Sequence, residues 1–163
     1  MVRGRRSELW SRTIAGWFVL LGLALAAVHP SIAQTTDWSA LITRAKPAVV
    51  QICAILSGRL VGVGSGALIS PDGHVLTADH VVEGIVKEGL SILVVVEDTR
   101  QYTASVVTRN TDHDVALLKI GASGLTWLAL GDSDRLAYEE EIRVLGYPLS
   151  AYGSGYVAVR GTV

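Results

Sequence analysis

The chain has 163 residues, a formal net charge of −1 and a mean hydropathy of +0.41, enough for one domain by length. Residues 1–33 hold four Arg and one acid, leaving 10 basic and 14 acidic groups in the other 130 residues; no basic patch suits nucleic acid. A single cysteine, Cys53, excludes an intrachain disulfide. Its place in the apolar run Ala48–Ile55 marks a small core residue rather than a nucleophile.

The first element is an export segment. Arg3, Arg5, Arg6 and Arg12 precede an uncharged apolar stretch from Ile14 to Val28, followed by Pro30 and the small-residue pattern Ser31-Ile32-Ala33. This order predicts a secretory signal over 1–33, cleaved after Ala33. The alternative is an N-terminal membrane anchor through residues 14–28, although a full span takes about 20 residues. Either way the positive flank stays cytoplasmic and the rest is exported, to the periplasm or the extracellular space.

Residues 34–47 read as a short helix and linker, capped by Asp37 and ended by Pro47. The period then changes. Ala48–Leu56 and Leu60–Ser70 are rich in β-branched residues, and Pro71-Asp72-Gly73 is a turn that returns the chain through His74–Thr77. Ser91–Glu97 and Gln101–Thr108 form a second pair around Asp98-Thr99-Arg100, and Val115–Ile120 is another apolar strand. Ile142–Gly146 and Gly155–Val163 complete the set. Many short strands with closely spaced turns predict an all-β barrel or sandwich. A last strand running into the C-terminus suggests a truncated domain, with strands such as Ile142–Gly146 left short of partners. The run Glu139-Glu140-Glu141 is a solvated face.

Two segments carry chemistry. One runs Gly64-Ser65-Gly66-Ala67-Leu68-Ile69-Ser70 through a turn to Thr77-Ala78-Asp79-His80-Val81-Val82. The other is Asp112-His113-Asp114-Val115-Ala116-Leu117-Leu118. With Gly131-Asp132-Ser133-Asp134 and Leu145-Gly146-Tyr147-Pro148 in the same order, the chain resembles the HtrA/Deg branch of the trypsin-like serine proteases over roughly Leu41 to Val163. The resemblance implies a double β-barrel: a first barrel over 48–135, complete, and the start of a second, truncated, over 136–163. It implies His80 as general base and acid and Asp114 as the carboxylate that orients it. It also implies unfolded polypeptides as substrates, and homo-oligomers in the full-length protein. No cofactor or metal is implied.

The pairing makes chemical sense. A serine hydroxyl needs a neutral imidazole to take its proton. That imidazole needs a carboxylate on its other nitrogen to fix the tautomer. Asp112, His113 and His74 are neighbours rather than candidates: the apolar run starts directly after Asp114, and on an extended strand His113 would face away from it. Asp79 reads as a solvated neighbour of His80. A zinc site from His74, His80, Asp112 and His113 matches no compact ligand spacing. The glycine-x-serine-glycine-glycine loop of trypsin-like enzymes does not occur in the chain. Neither Ser65 nor Ser154 fits its role, so the chain by itself is expected to be inactive. A non-catalytic polypeptide-binding half-domain, or a gene fragment, stays open as the alternative.

Overall fold

The structure, a computed structural model, describes residues 36–148 and 155–163. The expected leader and Ser154 lie outside these residues. Among the described residues no helix is long and apolar enough to cross a membrane.

Helix α1 (Trp38–Ala45) starts at Asp37, whose Oδ1 accepts from Ala40 N at 3.0 Å, and gives way to a one-turn 3₁₀ helix at Lys46–Ala48. Six strands follow: β1 (Val49–Leu56), β2 (Arg59–Leu68), β3 (His74–Thr77), β4 (Ser91–Val96), β5 (Arg100–Asn110) and β6 (Val115–Ile120). They close into an antiparallel barrel in the order β1-β2-β3-β6-β5-β4. Alternation builds the core, as it must in a small barrel whose interior is filled by side chains. Ile92, Val94 and Val96 of β4 and Ala116, Leu118 and Ile120 of β6 turn inward onto Val50, Ile52, Leu68 and Val75. The connection Ser57-Gly58 is a two-residue turn and Glu97-Asp98-Thr99 a three-residue one; Ser57, Gly58, Glu97 and Asp98 hold φ between 50° and 80°, the left-handed geometry that matches strand twist.

Two departures from the sequence expectation matter. The chain does not simply leave the barrel after β3; it forms helix α2 (Asp79–Lys87), which buries Val82 and Ile85 on the core. Strand β7 (Glu141–Gly146) is not left without a partner either, because it pairs along its whole length with β8 (Val157–Thr162). This hairpin is tied to the barrel by Tyr147, which is 4% exposed. The Tyr147 backbone N–H donates to Ser65 Oγ at 2.8 Å and its hydroxyl to Asp98 Oδ1 at 2.7 Å. Burial, and then the Asp98 carboxylate, push the phenol's pKa up.

One glycine seats the helix. A Cβ at Gly64 would run into the Val81 side chain, so α2 rests directly on the backbone of β2.

Candidate active site

Strand β3 ends where β6 begins, since Thr77 pairs with Ala116. The chain leaving β3 and the chain entering β6 therefore share one rim of the barrel. His80 sits on the first turn of α2, and Asp114 closes the turn that enters β6. Although 34 positions apart, they meet: His80 Nδ1 lies 2.7 Å from Asp114 Oδ2, and His80 N–H donates to Asp114 Oδ1 at 2.8 Å. Both carboxylate oxygens are thus committed to one residue.

The second bond also serves the helix. A helix leaves its first N–H groups without partners, and the capping residue Ala78 has no side chain to supply one. Asp114 reaches across and caps α2 from outside. Its negative charge is favoured at a helix N-terminus. The backbone N–H of His80, and then the imidazole, hold the Asp114 carboxyl below the usual carboxylate range. Asp114 holds a left-handed backbone, φ +51°, a conformation that Asp tolerates better than most residues. The pair is open, with side chains 71% and 52% exposed for His80 and Asp114.

Asp79 is not solvated. Its side chain is 3% exposed and forms a two-bond ion pair with Arg109, Nε to Oδ1 at 2.5 Å and Nη2 to Oδ2 at 2.9 Å. The guanidinium lowers its pKa. The local sequence around Asp79 gives no sign of this partner, which arrives from β5, 30 positions later.

The other two described histidines, His74 and His113, go elsewhere. His74 Nδ1 contacts both Ser70 Oγ at 2.9 Å and Asp72 Oδ1 at 3.2 Å, at the far end of β3. Serine and aspartate share one nitrogen there, so no proton can pass between them through the ring. Residues 111–114 form a turn, so the alternation of an extended strand is not what separates His113 from Asp114; His113 bonds back to Asn110 Oδ1 through both its N–H and its Nδ1. Among the described residues no three His, Cys, Asp or Glu side chains gather as metal ligands. Ser65 Oγ is taken by the Tyr147 backbone, donating to its carbonyl at 3.2 Å and accepting from its N–H.

Acid should loosen this rim. Asp114 and Asp79 both have depressed pKa values when folded, so their contribution is present above the unfolded value of about 3.9 and is lost as pH falls through the folded values. Asp72, bonded to Ser70, and Asp98, bonded to Tyr147, shift the same way. Thermal melts are expected to hold their midpoint from pH 7 to about 5 and to fall steadily below about 4.

The family model of the trypsin-like peptidase domain matches residues 64–163. A probable periplasmic serine endoprotease, DegP-like, of Halomonas elongata is 31% identical over 181 residues, covering 85% of this chain and 37% of that relative. One of the same description from a Marinomonas strain is 38% identical over 106 residues, 65% of this chain and 21% of its own. The crystal structure of the serine endoprotease from Yersinia pestis superposes with a TM-score of 0.67 at 26% identity, over 79% of this chain and 44% of that one. That of Deg5 gives 0.67 at 27% identity, over 77% and 61%. The chain thus spans well under half the length of these two curated relatives. It belongs to the trypsin-like peptidase family, and over part of their length it is similar to proteins described as DegP-like periplasmic serine endoproteases.

Proposed function

We propose that this chain supplies the histidine–aspartate half of a serine endopeptidase site. The supporting observation is the 2.7 Å contact from His80 Nδ1 to Asp114 Oδ2 at a barrel rim. With Nδ1 held by the carboxylate, Nε2 is the nitrogen left to take a proton. A serine hydroxyl gives Nε2 its proton while its oxygen adds to the peptide carbonyl carbon, forming an oxyanion. The imidazolium then returns the proton to the departing amine, which leaves an acyl-enzyme. Water, deprotonated by the same Nε2, releases the acid product.

The serine and the oxyanion N–H groups are assigned to a glycine-x-serine-glycine-glycine loop outside these 163 residues, which contain no such pentapeptide. In this reading 48–135 is the first barrel and 136–163 opens the second. Residues 1–33 direct export, by cleavage or as an anchor through 14–28. The substrates are exported polypeptides in unfolded form, and the complete protein is a homo-oligomer. The second reading is a half-domain that binds polypeptide without cutting it; Ser65, bonded to the Tyr147 backbone, serves as nucleophile in neither.

Unfolded casein separates the two. The chain alone is expected to leave casein intact, and the chain joined to the C-terminal half of a DegP-like relative to degrade it. Turnover by the chain alone, blocked by a fluorophosphonate that labels Ser65, would overturn the assignment. Binding without cleavage by the joined protein would favour the second reading.

A further inference from the structure

The buried Asp79–Arg109 pair sits one residue from His80, and its partner gets there by a break in the strand pattern. On β5, Tyr102, Ala104 and Val106 pack against the core, so uninterrupted alternation would turn Arg109 outward. The pairing of β5 with β6 slips between Val106 and Thr108, leaving Val107 as an extra residue, 53% exposed. Such a bulge inverts the parity of the residues after it. Arg109 therefore comes to the more buried side, in the row that runs through Ala116 to Thr77. From there its guanidinium grips the first residue of α2 by two parallel bonds, which fix orientation as well as distance. Thr111, which opens the Asp114 turn, also bonds the Asp79 carboxylate.

Two carboxylates thus cross the same gap in opposite directions. Asp114 runs from the turn to the helix, and Asp79 runs from the helix to the strand that enters the turn. We infer that Asp79 and Arg109 are positioning residues, a clamp that sets the separation of the His80 imidazole from Asp114. The inference rests on the role proposed above for His80 and Asp114. Stability alone is a poor account of the pair, because a buried ion pair is often no better than apolar side chains of the same volume. Asp114 on the turn and Asp79 on α2 act on the imidazole; Glu83 acts on Arg109, and Glu88 lines the same cleft as His80.

Proton NMR of the full chain, labelled at its 4 histidines, reads the clamp directly. A His80 Nδ1–H held by Asp114 gives a far-downfield resonance. Asp79→Asn and Arg109→Gln are each expected to broaden or abolish that resonance. Arg109→Lys keeps the charge and loses the fork, so it should fold and still weaken the resonance. The double variant Asp79→Asn/Arg109→Gln, able to re-form an amide–amide bond, should recover part of the signal. A folded Arg109→Lys protein with the resonance of the parent, unbroadened and unshifted, would overturn the inference and leave the pair a structural element only. Asp114→Asn is the separate control: a downfield resonance that survives it would sink the His80–Asp114 reading itself.

Discussion

Joined to a second barrel that carries the serine, the chain should lose nearly all turnover on His80→Ala and about 10⁴-fold on Asp114→Asn. Without the imidazole the hydroxyl has no acceptor for its proton. With an amide at position 114 the ring can settle in the tautomer that puts its hydrogen on Nε2, where the acceptor is needed. Asp112→Asn, His113→Ala and His74→Ala should stay within a few-fold, since His113 and His74 bond to Asn110, Ser70 and Asp72 rather than to the pair. Steady-state hydrolysis of unfolded casein measures all five, with circular dichroism to show that each variant is folded. Equal damage from Asp112→Asn and Asp114→Asn would mean the wrong carboxylate had been chosen. A His80→Ala protein with most of its activity would remove the trypsin-like mechanism altogether.

The second large effect is on stability. Leu118 is fully buried, flanked across the barrel wall by Val75 on β3 and Val106 on β5. Leu118→Ala should cost about 2–5 kcal/mol, because both the lost transfer energy and the cavity count against the folded state. For a unit of this size that lowers the melting midpoint by about 10 °C or more. Leu130→Ala, at a side chain 72% exposed, should change stability by no more than about 0.5 kcal/mol. Calorimetry on the two variants decides it; similar midpoints would mean that the barrel interior is not the main source of stability.

The strands were legible because each records its own environment. Val115–Ile120 alternates between inward and outward residues, and the structure gives the same bounds. Helix α2 was not legible. Asp79-His80-Val81-Val82-Glu83-Gly84 is β-branched and glycine-bearing, a weak helix former, and its N-terminal cap comes from Asp114, remote in sequence. The Asp79 error has the same origin. Its burial depends on Arg109, and the aim of Arg109 depends on a slipped register two residues earlier, which no local pattern announces. His80 and Asp114 could be picked out by motif, but their distance could not, because it depends on Thr77 and Ala116 facing each other across two strands.

The left-handed backbone at Asp114 limits what evolution can place there. The conformation, φ +51°, is comfortable for Gly, Asn and Asp and costly for longer or branched side chains. The proposed chemistry asks for a carboxylate, which only Asp and Glu provide. The residues that the backbone welcomes and the residues that the chemistry accepts overlap in a single amino acid. Asp114→Glu would keep the charge yet strain the turn, and Asp114→Gly or Asp114→Asn would suit the turn yet lose the carboxylate. A position filtered twice by unrelated demands leaves drift no neutral step.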